Sequence, residues 1–508
     1  MFEGIDDLLQ SYLAVLNVTS LAYGLGGALV GIIVGCLPGL SATLCIALLT
    51  TLTIKLPAND AILVLVCSYV GTLYGGSRTA ILLNIPGTAA NAASCADGHA
   101  LAKRGEAGRA IGIATSGAFT STLFGVICLA AFTPMLARVA LSFGSYEFFW
   151  LALFGVTMSG SIVGNDPLKG WLMGLLGLLA AQLGQDGLYA QDRFTFGWDQ
   201  LSGGIALIPA LVGAFGFAEI LTKLSSPIEA KLVEMKDSVL PRFREVVQYW
   251  PTVLRSGVIG VVTGLMPGVG EDSGAWMSYA AAKALSKEPE QFGKGSIDGL
   301  MAAETGDMAS IPGHMIPLLA LGIPGSAPSA VLMAAMVIHG IQPGPMLMVQ
   351  HPRFIYDVVA MTTVAMFAIL LFGLFLVRPL LLVLRVRNAV LMPVIFLLCC
   401  VGAFANAARL FDIYTMLFVG IGAFLLRRRG YHMAPFVLGL VLGGLLDKSL
   451  RRGLVLSDGS LEPFFTRPIS LALALITSLT LLMYVPPVRA GLRRMLAGIG
   501  RGFRRRPA

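Results

Sequence analysis

Long, uncharged and largely apolar stretches recur along the chain. Three clear examples are Gly117–Leu136, Val358–Val377 and Ala389–Ala408. A helix of about 20 such residues is long enough to cross roughly 30 Å of hydrocarbon. The polar segments between the apolar stretches are too short to form a separate soluble domain. The pattern therefore predicts an all-α, polytopic membrane protein, a single membrane domain over residues 1–508 with roughly ten to thirteen crossings or half-crossings.

Composition and charge support this prediction. Hydrophobic residues make up 56% of the chain and charged residues 13%, whereas charged residues are about 25% of an ordinary soluble protein. The formal net charge of +8 comes from basic clusters in short loops and in the tail 488–508. Such clusters mark cytoplasmic segments under the positive-inside rule, so they predict topology and not nucleic-acid binding. The clusters are Lys103, Arg104 and Arg109; Lys231, Lys236, Arg242 and Arg244; Arg427–Arg429; and Arg493, Arg494, Arg501, Arg504, Arg505 and Arg506.

Several other classes of protein are not expected. The sequence has no Gly-x-x-x-x-Gly-Lys-Ser/Thr motif, so we do not expect ATP hydrolysis on this chain. Its seven cysteines include no Cys-x-x-Cys pair, so neither a disulfide framework nor a thiolate metal site is predicted. The segment Met1–Asp7 is acidic where a signal peptide needs a basic region, so we expect no cleaved signal.

One segment conflicts with the positive-inside rule. The loop 185–200 is acidic and is predicted to be periplasmic, whereas Arg427–Arg429 predict a cytoplasmic loop. Lys448, Arg451 and Arg452 follow the next short apolar stretch. Either that stretch is re-entrant or the rule fails at this point.

The chain contains an internal repeat. Gly31-x-x-x-Gly35-x-x-Pro38-Gly39 recurs as Gly260-x-x-x-Gly264-x-x-Pro267-Gly268, at a constant offset (260 − 31 = 229; 268 − 39 = 229). Downstream, 80–87 corresponds to 318–325 (324 − 86 = 238). The preserved order predicts two related halves, 20–225 and 250–390, followed by C-terminal helices over 391–487 and the basic cytoplasmic tail. We expect the halves to be inverted repeats, which requires an odd number of crossings between them.

The repeated Pro-Gly pairs interrupt apolar segments. Proline removes a backbone N–H and glycine relaxes the helix, so main-chain groups at membrane depth need another polar partner. Broken helices in equivalent places of two halves are typical of the binding site of a secondary transporter. The alternative is that glycine and proline only permit kinks and close packing. The first interpretation predicts a midplane site at Pro38-Gly39, Pro86-Gly87, Pro267-Gly268 and Pro324-Gly325.

The segment Tyr74–Thr88 resembles the signature of the large membrane subunit of the tripartite tricarboxylate transporter family. The resemblance extends from about Gly24 to Ser470. Further matching segments are Asp97-Gly98, Lys103–Gly105, Gly108–Ala110, Ser286–Gly295, Leu321–Ser326, His339–Pro345, Leu456–Gly459 and Arg467–Ser470.

This resemblance implies a permease subunit of the bacterial inner membrane. Its partners would be a small four-helix membrane subunit and a periplasmic solute-binding protein. Transport would be driven by a cation gradient, Na⁺ or H⁺, and the usual cargo would be a carboxylate such as citrate. No other cofactor is implied.

The chain departs from the family pattern inside the signatures. Glu271-Asp272 follow Gly270, where the family usually has small or hydroxyl residues, and Asp307 follows Glu304, where it usually has paired asparagines. Arg78 replaces an apolar or small residue. Charges inside a membrane are costly and need partners. Either Arg78 pairs with Glu271 or Asp272 or meets a substrate carboxylate, or all three lie in a solvated vestibule.

The acidic residues are also candidates for cation coupling. Glu304 and Asp307 are three residues apart, so on a helix they share one face and form a carboxylate pair suited to Na⁺ or H⁺. Glu271 and Asp272 are assigned to the same role. The alternative for Asp307 is a helix cap before Ile311-Pro312. The acidic residues would either favour a substrate with fewer carboxylates or change only the coupling ion.

The polar and small residues beside the breaks complete the candidate substrate site. Hydroxyl and amide groups can orient an anion, although serine and threonine also cap helices. His314 either takes part in proton coupling or is a packing residue. Two other functions remain open: an enzyme using Glu271, Asp272, Glu304, Asp307 and His314, and a passive channel. The candidate substrate site residues beside the breaks are Gly76, Ser77, Arg78, Asn84, Thr88, Gly322 and Ser326.

Overall fold

The chain is helical almost throughout, as predicted. The structure, a computed structural model, describes residues 2–37, 40–162, 166–186, 191–225, 233, 235, 237–241, 243–266, 269–382, 388–405 and 407–483. Within these ranges the strands are one antiparallel pair, β1 (Gly184–Gln185) and β2 (Asp192–Arg193). Six helical stretches of these ranges are long and apolar enough to cross a membrane, and five shorter apolar helices accompany them. The prediction of an all-α, polytopic membrane protein is confirmed.

The helices fall into two sets along the chain. The first set is α1 (Phe2–Val15), α2 (Val18–Cys36), α3 (Ala42–Thr53), α4 (Ala58–Leu83), α5 (Ala92–Lys103), α6 (Ala107–Ala140), α7 (Ser145–Ile162), α8 (Pro167–Ala181), α9 (Asp199–Ser202), α10 (Leu207–Leu211) and α11 (Ala218–Ser225), with a π-helical segment Val212–Phe217 between the last two. The second set is α12 (Phe243–Gln248), α13 (Trp250–Leu265), α14 (Gly270–Leu285), α15 (Ile297–Leu321), α16 (Ala327–Ile338), α17 (Leu347–Gln350), α18 (Phe354–Phe375), α19 (Val377–Leu381), α20 (Asn388–Ala405), α21 (Leu410–Arg428), α22 (Ala434–Leu456), α23 (Pro463–Thr466) and α24 (Pro468–Met483), with a 3-10 turn at Pro289–Gln291.

Helices α2 and α4 are in backbone contact along one face. A Cβ at Gly31 would collide with the carbonyl oxygen of Ser68, and a Cβ at Gly35 with that of Thr72. Glycine removes the side chain that would keep the two backbones apart, which is how small residues pack helices in membranes. Residue numbers rise together on both helices, so α2 and α4 run parallel.

The same contact recurs in the second set of helices. A Cβ at Gly260 of α13 would lie 2.5 Å from the carbonyl oxygen of Gly306, and a Cβ at Gly264 would lie 2.6 Å from that of Ser310. These two contacts are equivalent to those between α2 and α4. The glycines are shifted by 229 residues, and the residues whose carbonyls they meet are shifted by 238 (260 − 31 = 229; 306 − 68 = 238). Helices α13 and α15 therefore correspond to α2 and α4 in pairing and in register.

The two equivalent central helices, α4 and α15, run in opposite directions. Tyr69 of α4 and His314 of α15 both lie beside Glu271. Further along α4, one asparagine amide donates both to the carbonyl of Leu73 and to the carboxylate of Asp307. Residue numbers thus rise along α4 as they fall along α15. The pair formed by α2 and α4 is therefore inverted with respect to the pair formed by α13 and α15.

Helices α13 and α14 form an antiparallel hairpin, so the start of α13 and the end of α14 lie on the same side of the protein. Ser278 of α14 donates to the carbonyl of Ser256 on α13 at 3.4 Å, and Gly274 packs against Thr263. Numbers rise on one helix as they fall on the other, so the pair is antiparallel. Residues 267–268 between α13 and α14 lie outside the described residues, as do 38–39 between α2 and α3.

The chain folds back into the interior after each central helix. Asn84 ends α4 with φ +56° and Gly322 ends α15 with φ +70°, both left-handed conformations. After the first turn, the N–H of Gly87 donates to the carbonyl of Gly76 at 3.3 Å. Helices α5 and α16 therefore begin inside the protein.

Helix α22 resolves the conflict in the charge pattern. It is one helix of 23 residues, about 34 Å long at 1.5 Å per residue, so the interpretation of this stretch as re-entrant is wrong. Arg451 lies 2.6 Å from Asp186, and Asp447 lies 3.1 Å from Arg193. Arg451 pairs with Asp186 of the predicted periplasmic loop and with Asp447 of α22 itself, which favours the alternative that the positive-inside rule fails here.

The glycine contact between α2 and α4 predicts a sharp sensitivity to added volume. Gly35→Ala should destabilise the protein by about 1–3 kcal/mol or more, because the added methyl group meets a backbone carbonyl that cannot move aside. Gly26→Ala on the same helix is the control, since nothing lies within 4 Å of its Cβ position. Thermal unfolding of the purified variants in detergent measures both; equal melting temperatures would contradict the packing.

Candidate substrate and cation site

The ends of several broken helices meet between α4 and α15. Helix α5 begins after Asn91 and α16 after Ser326, while α14 begins at Gly270. The carbonyl oxygen of Gly35 at the end of α2 packs against Gly87, and that of Gly264 at the end of α13 packs against Gly325. Helix N-termini carry a partial positive charge and free N–H groups, so the interior is polar where these helices start.

The first cluster of polar side chains surrounds Glu271, in the first turn of α14. Its Oε1 accepts hydrogen bonds from the hydroxyl of Tyr69 on α4 and from Ser326 Oγ at 2.9 Å. The Nδ1 of His314 lies 3.6 Å from the same oxygen. Ser326 also forms a capping box with Ser329 at the start of α16. All five residues are buried.

The second cluster surrounds Asn91, at the start of α5. Its Nδ2 donates to Asp307 Oδ2 at 3.1 Å and to the carbonyl of Leu73 at 3.2 Å. Its Oδ1 accepts from the hydroxyl and the N–H of Thr88, at 2.7 and 3.2 Å. A side chain at Gly76 would occupy the position of this amide oxygen, so glycine is required there.

The two clusters are related by the internal repeat. Tyr69 corresponds to Asp307, Thr88 to Ser326 and Asn91 to Ser329, each at an offset of 238 (307 − 69 = 238). In each half the central helix reaches across to the helix start of the other half. The site is therefore built from both halves at once.

Glu304 and Arg78 lie in a third buried group. Ser94 Oγ of α5 donates to Glu304 Oε1 at 2.6 Å. The guanidinium of Arg78 lies 3.8 Å from the ring centre of Tyr74 and donates to Thr115 Oγ1 at 3.2 Å. Its Nε and Nη1 have no hydrogen-bond partner among the described residues. Arg78 and Glu304 interact electrostatically without a direct ion pair.

The predicted pairing of Arg78 with Glu271 or Asp272 is wrong. Arg78 lies nine residues beyond Tyr69 on α4, about 13 Å along the helix axis, whereas Tyr69 contacts Glu271. The alternative of a shared solvated vestibule is also wrong, because Arg78 and Glu271 are 3% and 6% exposed while Asp272 is exposed. Hydroxyl donors, not a guanidinium, satisfy the Glu271 carboxylate.

The other predicted site residues differ in how deeply they are buried. Ser77 is buried and donates to the carbonyl of its own helix at Tyr74. Asn84 is exposed and Gly322 buried, and both end central helices. Pro86 is half-buried and Pro324 is buried. Outside the described residues lie Pro38, Gly39, Pro267 and Gly268.

Sequence reasoning missed several polar residues of the interior. Tyr69 and Asn91 were not selected, although each stands at the repeat offset from a polar residue in the other half. Asp97 of α5 is buried and accepts four hydrogen bonds around the start of α15. Its donors are Tyr279 Oη and the N–H groups of Gly293, Gly295 and Ser296, at 2.7–2.9 Å.

Inverted helix sets around a buried polar centre define a multi-pass membrane protein with an internal site shared between its halves. Residues 21–438 match the Tripartite tricarboxylate transporter TctA family. The chain belongs to this family, which is the membrane component of a tripartite transporter. It is therefore a transport protein, and the alternative of an enzyme is wrong.

Two proteins of Agrobacterium vitis are similar to the chain. One, described as an uncharacterized 52.8 kDa protein in the TAR-I ttuC' 3'region, is 34% identical over 495 residues, covering 96% of this chain and 98% of the relative. The other, an uncharacterized protein in the TAR-II ttuC' 3'region, is 33% identical over 214 residues, 42% of this chain and 88% of the relative. No solved structure was found to match.

The contacts of the Asn91 side-chain amide predict that its removal destabilises the protein more than removal of an exposed asparagine. Asn91→Ala should destabilise the protein by about 2–4 kcal/mol, because a buried carboxylate oxygen and a backbone carbonyl each lose their donor. Asn59→Ala is the matched control, since Asn59 is exposed and has one long contact of 3.5 Å to Asp357. Thermal unfolding of both variants tests this; a similar small effect of each would show that the Asn91 contacts contribute little.

Proposed function

We propose that the chain is the large permease subunit of a tripartite carboxylate importer in the bacterial inner membrane. It would work with a small four-helix membrane subunit and receive its solute from a periplasmic binding protein. Membership of the TctA family supports this assembly. The observation that carries the proposal is the convergence of the helix starts of α5, α14 and α16 on one buried polar centre.

The chemistry of that centre suits an anion. Helix N-termini attract carboxylates through their N–H groups and their dipoles. Arg78 adds a buried guanidinium whose Nε and Nη1 have no partner in the described part of the chain, and either nitrogen can donate a charge-assisted hydrogen bond to a carboxylate oxygen. The helix starts and Arg78 together can hold a carboxylate cargo near the midplane.

The inverted halves support alternating access around this centre. Beyond the central helices, α8 packs with α22, while α21 packs with α10 and α11. Helices α8, α10 and α11 of the first half thus pack against α21 and α22, which lie after residue 390. We infer that the second half continues past residue 390 as far as α22, and that α24 is an additional C-terminal helix. Rocking of one half against the other would open the site to each side in turn.

The buried acidic residues provide the coupling site. Glu304 Oε2 and Asp307 Oδ1 are buried without a hydrogen-bond partner among the described residues. With Glu271 they make three buried carboxylates against the single guanidinium of Arg78. Uncompensated charge inside a membrane is costly, so bound Na⁺ or H⁺ would balance Glu304 and Asp307. Asp272 is exposed, and its role in cation coupling stays a prediction.

Uptake into proteoliposomes tests the proposal. The vesicles hold this chain, the small subunit and the binding protein, and labelled mono-, di- and tricarboxylates are supplied with or without an imposed Na⁺ or H⁺ gradient. We expect saturable accumulation that requires one of the gradients. Uptake that rises linearly with concentration would indicate a channel, and no uptake by an intact complex would contradict carboxylate transport.

Asp307→Asn should separate coupling from binding. The substitution removes one negative charge and keeps the shape, so gradient-driven accumulation should fall at least about tenfold while exchange of internal for external solute persists. Asp458→Asn is the control, because Asp458 is an exposed loop residue. Unchanged accumulation by the Asp307 variant would place the coupling site elsewhere.

A further inference from the structure

We infer that Asp97 is a positioning residue for the proposed coupling site. It fixes the register of α5 against α15, and α5 carries two side chains that donate to the coupling carboxylates. The inference rests on the proposed function, in which Glu304 and Asp307 hold the coupling cation. It also gives a role to signature segments that lie outside the substrate and cation site, namely Asp97-Gly98, Lys103–Gly105 and Ser286–Gly295.

Helix α5 lies antiparallel to α15 and contacts both coupling carboxylates. Asn91 donates to Asp307 at 3.1 Å, and Ser94 donates to Glu304 at 2.6 Å. Three residues further along α5, the partner thus lies three residues earlier on α15 (94 − 91 = 3; 307 − 304 = 3). A displacement of α5 along its axis would move both donors away from their carboxylates together.

Asp97 anchors the next turn of α5 to the start of α15. It lies three residues after Ser94 and is fully buried. Hydrogen bonds to an ionised acceptor are roughly twice as strong as those between neutral groups, so a carboxylate with several donors holds its helix in one position. The two oxygens of Asp97 accept at 2.7–2.9 Å from Tyr279 Oη and from the N–H groups of Gly293, Gly295 and Ser296.

The loop before α15 is shaped to meet this carboxylate. Gly293 and Gly295 have φ +84° and +104°, left-handed conformations that favour glycine. Both N–H groups therefore reach the same oxygen of Asp97. Arg104, at the end of α5, donates to the carbonyl of Lys294 in the same loop. The three signature segments thus meet at one junction between the two halves.

The equivalent helix of the second half has no such anchor. At the repeat offset, Ser94 corresponds to Leu332 and Asp97 corresponds to Ala335 (335 − 97 = 238). Both equivalents are buried apolar side chains. A requirement of the inverted fold alone would apply to α5 and α16 alike. The anchor is instead on α5, the helix that donates to the coupling carboxylates.

A double-mutant cycle tests the positioning without any transport. Asp97→Asn keeps the size of the side chain but removes its charge and one acceptor oxygen. We expect the loss of melting temperature caused by Asn91→Ala to shrink by at least about half in the Asp97→Asn background, because the Asn91 contacts are already displaced there. Thermal unfolding of the single and double variants of the full chain in detergent measures this. Equal losses in the two backgrounds would overturn the inference.

Asp298→Asn is the matched control for the cycle. Asp298 lies in the first turn of α15, but its carboxylate accepts from Thr252 of α13. The loss caused by Asn91→Ala should therefore be unchanged in this background, and an equal shrinkage there would contradict a specific role of Asp97. Should Asp97→Asn not fold, Tyr279→Phe removes one of the four donors and should shrink the loss in the same direction; an unchanged loss would overturn the inference.

Coupled transport provides the second arm. In the proteoliposome assay, Asp97→Asn should raise the cation concentration for half-maximal uptake at least about tenfold, roughly the effect of losing one hydrogen bond to a charged group. Exchange of internal for external solute should stay within about twofold of the wild type. Equal loss of both activities would show that Asp97 only supports the fold, and would overturn the inference. Absence of uptake by the wild type would contradict the proposed function, whereas the double-mutant cycle would still decide whether Asp97 positions α5.

Discussion

The structure depends on the requirement that every backbone polar group at membrane depth has a partner. Several helices in the described ranges end or begin inside this protein, so their free N–H and C=O groups need partners there. Glycine contacts between α2 and α4, and between α13 and α15, bring the broken ends against the central helices. Gly87 and Gly325 lie at these junctions, where a side chain would collide with its neighbours.

Each half of the internal repeat contributes residues to the same buried site. Because the two halves are inverted, α4 and α15 cross the centre in opposite directions, and equivalent residues face opposite helix starts. Tyr69 therefore contacts the start of α16, while Asp307 contacts the start of α5. Both contacts join one half to the other, so the geometry of the site depends on how the two halves are arranged.

Much of the fold could be predicted from the sequence, because the offsets of 229 and 238 correspond to physical contacts. The site was less predictable. The hypothesis that Arg78 pairs with Glu271 or Asp272 was wrong because it considered only their opposite charges. Arg78 lies nine residues beyond Tyr69 on α4, and Tyr69 is the residue that contacts Glu271. Tyr69 was not predicted because an uncharged tyrosine in an apolar helix is typical of a packing residue, and its polar role is shown by its contacts with Glu271 and Ser326.

The buried site contains more negatively charged side chains than positively charged ones. Glu271, Glu304 and Asp307 are each at most 6% exposed, and hydroxyl and amide donors cannot neutralise three carboxylates as cations do. In the proposed importer, closure around a carboxylate cargo would add a further negative charge, so the closed and loaded state would be favourable only when protons or sodium ions bind with the cargo. Coupling would then follow from the cost of burying unbalanced charge. It would require no separate gate that senses the ion.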